Sequence, residues 1–278
     1  MTTLLKGTAL AKQIKEETKH IISMLPSQIT LAIIQVGDDE AAKVYTNSIK
    51  KLAQTICINI LNYPLPKTTP QEDLLTLITT LNKSNDITGI FMHMPLPEHL
   101  NSIDVISTID YKKDVDCITP HNIGLLSIGG ATIFPCTPYG VMELLAHNNI
   151  HISKKDCVII GRSLVVGKPL ATLMLAKDAT VTKCHSQTQN LTEITKRADI
   201  VITAVGHSNF LNKDMVKHGA IVIDIGINVD NNGNLTGDAN FNEIKDLTSY
   251  ITPVPGGVGP MTVAMLGKNI LSAYYLQK

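Results

Sequence analysis

The chain has 278 residues, with 24 Lys plus Arg set against 24 Asp plus Glu, 44% hydrophobic residues and 17% charged ones. That length exceeds the usual size of one hydrophobic core and implies two domains, while the composition excludes a disordered or coiled-coil chain. The even charge balance excludes a general pull toward nucleic acid or an anionic membrane. The mixed opening with Lys6, Lys12, Lys15, Glu16, Glu17 and Lys19 excludes a signal peptide or membrane span, so a cytoplasmic protein is expected.

In chain order, apolar runs rich in Ile and Val predict buried strands at Leu31–Val36, Ile56–Ile60, Ile87–Met92, Cys157–Ile160, Asp199–Val205 and Ala220–Ile225, with a further strand ending near Ser186. Between them, helical patterns run over Thr8–Met24, Glu40–Gln54, Pro70–Lys83, Tyr139–Asn148 and Gly167–Leu175. The alternation predicts an α/β protein with parallel sheets. From Asp116 to Pro138, Pro120, Gly124, Gly129, Gly130 and Pro135 punctuate a stretch without sustained periodicity, and a domain junction is expected there. The predicted layout is an N-terminal α/β domain over residues 1–120 and a Rossmann-like nucleotide-binding domain over 121–261. A last helix, 262–278, carries Val263, Leu266, Ile270 and Ala273 at helical spacing and is expected to pack back on the first domain. Five cysteines, Cys57, Cys117, Cys136, Cys157 and Cys184, form no CxxC pair, which argues against zinc and disulfides and for inert buried thiols; Cys184, beside His185, is the least settled.

Cys157 to Leu170 reads as a strand, a turn opened by Gly161-Arg162-Ser163, and a helix started by Gly167 and Pro169. Free N–H groups and the positive dipole end of such a helix suit a phosphate, and Arg162 adds a fixed charge. The spacing is not GxGxxG, and a strand ending in glycine is common in α/β folds, so this turn alone leaves a plain connection and a nucleotide site both open. Small polar residues at the ends of the neighbouring strands, Ser186, Gly206 and Gly226-Ile227-Asn228, favour the nucleotide site.

Thr252-Pro-Val-Pro255-Gly256-Gly257-Val-Gly259-Pro-Met-Thr262 resembles the signature of the methylenetetrahydrofolate dehydrogenase/cyclohydrolase family. The resemblance continues through Val36-Gly-Asp-Asp39, Val44-Tyr45, Pro95-Leu-Pro97, Lys113-Asp-Val-Asp116, Pro135-Cys-Thr-Pro138, Gly161-Arg-Ser163 and Gly237-Asp238, covering essentially the whole chain. It implies a homodimer that oxidises 5,10-methylenetetrahydrofolate to the methenyl cation with NADP or NAD and hydrolyses that cation to 10-formyltetrahydrofolate, in a cleft between the two domains. By position it implies that Tyr45 stacks on the folate, that Asp116 binds the pterin, and that Pro255, Gly256 and Gly259 face the substrate. Gly161, Arg162, Ser163, Ser186 and Ile227 match cofactor positions. Arg162 favours NADP, since a guanidinium can clamp the extra ribose phosphate, although Gln187 stands where the family often has a second basic residue.

Two positions depart from the family pattern. The family's catalytic lysine lies four residues after the tyrosine, where this chain has Ile49, and its glutamine partner corresponds to His93. Lys50 is a poor substitute: at about 100° per residue it sits roughly 140° around the helix from Tyr45, against about 40° for Ile49. Hydride transfer needs chiefly placement, whereas hydrolysis needs protons moved, work worth about 10²- to 10⁴-fold from a positioned acid or base. Retained dehydrogenase activity with weak or absent cyclohydrolase activity is therefore expected, with His93 as a possible proton carrier. A dehydrogenase-only enzyme and a folate- or nucleotide-binding pseudo-enzyme are the alternatives.

Overall fold

The computed structural model describes residues 2–230 and 233–278. In chain order the elements are β1 (Thr3–Leu4), α1 (Thr8–Ser23), β2 (Thr30–Val36), α2 (Glu40–Ile56), β3 (Asn59–Leu65), α3 (Gln71–Lys83), β4 (Gly89–Met92), α4 (Ser102–Thr108), α5 (Pro120–Ser127) and α6 (Cys136–His147). There follow β5 (Asp156–Ile160), α7 (Gly167–Leu175), β6 (Thr180–Cys184), α8 (Leu191–Lys196), β7 (Ile200–Thr203), β8 (Ile221–Asp224), β9 (Asn228–Val229), β10 (Leu235–Thr236), α9 (Phe241–Ile244), β11 (Tyr250–Ile251) and α10 (Val258–Leu276). They fall into two compact units, one of Lys12–Cys136 with Val263–Lys278, the other of the residues up to Ala11 with Thr137–Thr262. The junction expected at residue 120 coincides with the start of α5, inside the first of these units.

In the first unit three parallel strands stand in the order β3-β2-β4. The central strand β2 is apolar through Leu31, Ala32, Ile33 and Ile34, all fully buried, as a parallel strand covered on both faces must be. Helix α2 starts at Asp39, whose side chain accepts from Ala42 N, and ends at Cys57, whose left-handed backbone turns its N–H back to Ala53 O. This corrects the strand expected at Ile56–Ile60: Ile56 closes the buried face of α2, and β3 begins only at Asn59. Its polar, Pro64-containing run marks an edge strand, where a missing N–H costs no ladder bond.

The stretch read as irregular contains α5. Thr119 Oγ1 caps it by accepting from Asn122 N, Pro120 occupies its first position, and the Asp114 carboxylate accepts from Ile118 N, Thr119 N and Asn122 Nδ2. Eight residues are too few to show a helical period. The C-terminal helix begins four residues earlier than expected, with Gly259 and Pro260 in its first turn, where proline is tolerated. Its later half packs in this unit: an added Cβ at Gly267 would touch Thr18 of α1 at 3.4 Å and Leu52 and Ile56 of α2 at 3.7 Å.

The other unit is a six-stranded parallel sheet ordered β1-β11-β8-β7-β5-β6. Alternation sorts its side chains to two faces: Cys157, Ile159, Ile200 and Ile202 join Leu144, Leu145, Leu170 and Met174 of α6 and α7, while Val158, Ile160, Val201 and Val222 join Met215, Val216 and Ile244. Strand order reverses at β5, which pairs with β6 on one side and β7 on the other. Crevices for ligands open at such a switch, outside the carboxyl ends of the strands.

Candidate active site

Helix α2 carries Tyr45, Thr46 and Ile49, and the end of β4 carries Phe91 and His93. Tyr45 is half-buried, with its ring centroid 5.6 Å from that of Phe91 and 6.1 Å from that of His93. Phe91 and His93 meet edge to face at 5.0 Å. His93 N–H donates to Ile34 O at 2.9 Å, continuing the β2 ladder past the end of β4, and its Nε2 lies 2.7 Å from Thr46 Oγ1. Burial drives the imidazole pKa down to about 4, so the ring is neutral near pH 7. Ile49 has no exposed surface, whereas Lys50, next along the helix, is exposed.

Asp116 follows β4's bridge partner Asp114 and is half-buried. Desolvation pushes its pKa up to about 6, against the hydrogen bond it accepts from Cys136 N at 3.3 Å. Burial likewise raises the Tyr45 hydroxyl well above its ordinary range, with Cys136 and then Asp116 near enough to add to the rise, so Tyr45, Cys136 and Asp116 form one cluster. Asn269 of α10 organises its back wall: its Nδ2 donates to Val115 O at 2.9 Å and Phe134 O at 2.6 Å, and its Oδ1 accepts from Phe134 N. Lys113, the basic member of the same motif, points elsewhere: its Nζ donates to Leu81, Asn82 and Ser84 carbonyls and closes the end of α3. Thr46, Phe91 and Asn269 carry no site signal in the sequence, because their partners lie far away along the chain, whereas Cys136 falls in the Pro135–Pro138 motif without being marked as a site residue.

In the other unit, Gly161 ends β5 at φ 140°, a backbone open chiefly to glycine, and a Cβ there would come 2.6 Å from Ala204 O after β7. A Cβ at Gly167 would strike Gly161 O, so the helix start lies directly on the turn. Ser163 Oγ accepts from Val166 N and Gly167 N, fixing the entry to α7. Arg162, Ser163 and Ser186 are exposed, Ile227 is 67% exposed, and Arg162 makes no ion pair among the described residues. Pro255, Gly256 and Gly259 lie in this unit too, with Pro255 and Gly259 exposed and Gly256 at φ 102°, its carbonyl accepting from Gly7 N. Thus Tyr45, His93 and Asp116 share one unit, and the cofactor candidates and the Pro-Gly-Gly loop share the other.

Two aspartates brace the strand ends of that second unit. Asp238 accepts from Val205 N at 2.6 Å, Gly206 N at 3.2 Å, His207 N at 2.9 Å and Asn228 Nδ2 at 2.9 Å. Asp224 accepts from Gly226, Asp238 and Ala239 N–H groups. Gly226 and Gly237 are pressed against these carboxylates and leave no room for a side chain. Desolvation nonetheless raises the Asp224 pKa to about 6, with nearby Asp238 adding to it. Of the cysteines, Cys57 is exposed, contrary to expectation, because it caps the outer end of α2; the other four are buried. Among the described residues no group of three or more His, Cys, Asp or Glu side chains could hold a metal, and no helix is long and apolar enough to cross a membrane.

A parallel sheet whose order reverses beside a glycine-tight strand–turn–helix defines the second unit as a dinucleotide-binding type of α/β domain. Residues 5–116 match the tetrahydrofolate dehydrogenase/cyclohydrolase catalytic domain, and residues 135–278 match the NAD(P)-binding domain of that family. The chain belongs to the tetrahydrofolate dehydrogenase/cyclohydrolase family. It is 50% identical over 272 residues to the bifunctional protein FolD of Lachnoclostridium phytofermentans, an alignment spanning 97% of this chain and 96% of that one. Among solved structures, the bifunctional FolD of Campylobacter jejuni superposes with a TM-score of 0.96 at 44% identity over the whole of both chains. The Trypanosoma brucei enzyme, solved with NADP and an inhibitor, superposes at 0.93 with 34% identity, covering 99% of this chain and 98% of that one.

Proposed function

We propose that the chain oxidises 5,10-methylenetetrahydrofolate to 5,10-methenyltetrahydrofolate with NADP, and that hydrolysis of the methenyl product to 10-formyltetrahydrofolate is the slower of its two activities. The observation that carries this reading is the end-to-end likeness to bifunctional FolD proteins, 50% identical across 97% of the chain.

The residues fit the cofactor. Gly161 and Gly167 keep the turn free of side chains, the start of α7 offers N–H groups, and the guanidinium of Arg162, without an ion pair among the described residues, is available for a ribose phosphate, which favours NADP over NAD. NADP, when bound, accepts the hydride. Ser186 and Ile227 border the remaining length of the dinucleotide in this reading, and Pro255, Gly256 and Gly259 face the substrate.

On the folate side, Tyr45 supplies an aromatic face and Asp116 accepts hydrogen bonds from the N–H groups of the pterin. Both tasks are positional, and the product cation is stabilised by its own nitrogens, so oxidation proceeds without a protein acid. Hydrolysis adds water to the methenyl carbon, breaks its bond to N5 and releases a proton. That step suffers from Ile49, which stands at the place of the family's lysine, and from a neutral His93 at the place of its glutamine. A homodimer in the cytoplasm belongs to the same reading; the exposed edge strand β3, with Leu61 45% exposed, supports self-association, and equilibrium sedimentation is expected to give twice the chain mass.

The test is to mix the protein with methylenetetrahydrofolate and either NADP or NAD. Reduction of NADP is expected; folate and nucleotide binding without reduction of either cofactor would leave a binding protein in its place.

A further inference from the structure

Thr46 is a polar member of the Tyr45 cluster without a task in the chemistry above. It is 4% exposed, its Oγ1 stands 2.7 Å from His93 Nε2, and among the described residues that nitrogen is the only hydrogen-bond partner of the hydroxyl. The bond can be made in two ways. Were the ring proton on Nε2, the hydroxyl hydrogen of a nearly sealed threonine would lack an acceptor, an arrangement that buried polar groups avoid. With the hydroxyl donating, Nε2 accepts and the ring proton resides on Nδ1.

Among the described residues Nδ1 has no hydrogen-bond partner, yet none of their fully buried side-chain nitrogens or oxygens is left unpaired. Nδ1 is therefore open to whatever occupies the space beside it. The ring itself cannot turn freely: Phe91 packs its edge at 5.0 Å, Tyr45 stands at 6.1 Å, and the His93 backbone is tied to Ile34.

We propose that Thr46 locks His93 in its Nδ1–H tautomer, so that His93 presents a fixed, neutral hydrogen-bond donor to the bound folate. Thr46 is then a positioning residue and His93 a substrate-contacting one, a role that rests on the folate reading of the Tyr45 cluster. The low imidazole pKa agrees with this, since a ring neutral at pH 7 holds one proton, and the tautomer decides where that proton is offered. A neutral donor can hold a folate oxygen or nitrogen in place for hydride transfer. It supplies no readily exchanged proton for hydrolysis, which matches the slow second step.

The experiment is nitrogen NMR of the intact protein, labelled at histidine, without ligand at pH 7. His93 is expected as the Nδ1–H tautomer, retained in Thr46→Ser and lost from Thr46→Val, which shifts the proton toward Nε2. A predominantly Nε2–H or doubly protonated ring in the unaltered protein overturns the proposal, as does a tautomer indifferent to Thr46→Val. Kinetics then test the donor: His93→Leu is expected to raise the folate KM about tenfold, the scale of one hydrogen bond. His93→Asn, whose amide reaches the place of Nδ1, is expected to raise it less, and equal losses in the two variants contradict a donor role. If the tautomer is as proposed but neither cofactor is reduced, the enzyme reading fails alone; if NADP is reduced and the tautomer is wrong, only this proposal fails.

Discussion

At Asp116 burial and the proposed folate contact pull in opposite directions. Its pKa is raised to about 6 by desolvation, so the protonated form is favoured in the folded chain. Its contribution to stability is complete below the unfolded carboxylate value and is lost as pH rises through about 6, the range in which the ionised form, the pterin acceptor of the proposed reading, becomes available. The folate KM is accordingly expected to rise as pH falls below 6, and Asp116→Asn to weaken folate binding and flatten that dependence; steady-state kinetics across the range, with NADP saturating, measure both. Ile49 poses the opposite case. A lysine placed there would bury an ammonium where the chain now has a fully enclosed isoleucine, so Ile49→Lys is predicted to speed methenyl hydrolysis while costing about 2–5 kcal/mol in stability. A hydrolysis assay paired with urea unfolding reads the two effects, and unchanged hydrolysis in a folded variant argues against the lysine's absence as the cause. Tyr45 and Asp116 stand out in the sequence because each sits in a specific motif, and the structure places both in one unit. Thr46 does not, because its partner His93 is 47 residues away and nothing in a helix sequence announces a contact with the end of a strand.

Among the elements, the strand–turn–helix of β5 and α7 is the most constrained. Gly161 adopts a backbone angle that other residues resist, and its missing Cβ leaves room for Ala204 O, so Gly161→Ala must move either the turn or the end of β7. The expected outcome is a rise of at least about tenfold in the Kd for NADP with folate binding preserved, measured by fluorescence titration of each ligand. Buried strands at β2, β5, β7 and β8 were readable as runs of Ile and Val because parallel strands covered on both faces must be apolar throughout. The polar edge strand β3 was not: Ile56–Ile60 mixes the end of α2 with its beginning, and only the left-handed Cys57 separates them. Helix α5 escaped for a related reason, since its start is set by Thr119 and by the Asp114 carboxylate rather than by an apolar stripe. Asp224 and Asp238 belong to the same category, carboxylates whose work is to hold the loops after β7 and β8 through backbone N–H groups.

For the molecule as a whole, two units of different design divide the task. A three-stranded sheet and its helices hold Tyr45, His93 and Asp116, and a six-stranded sheet holds the glycine-tight turn after β5. Family membership, established over both, brings two activities in one chain, and in the proposed reading Ile49 and His93 weigh unequally on them. In the proposed reading the oxidation depends on placement, which Tyr45, Asp116 and the Gly161 turn would supply. The hydrolysis depends on moving protons, which a buried isoleucine cannot do and a neutral imidazole with pKa about 4 does poorly. The direct test follows NADP reduction and methenyltetrahydrofolate concentration together in one reaction started from methylenetetrahydrofolate. The account predicts prompt NADP reduction with methenyltetrahydrofolate accumulating faster than it is hydrolysed. Contradiction would be 10-formyltetrahydrofolate forming in step with NADPH, with no accumulation beyond the uncatalysed background, or no reduction of NADP at all.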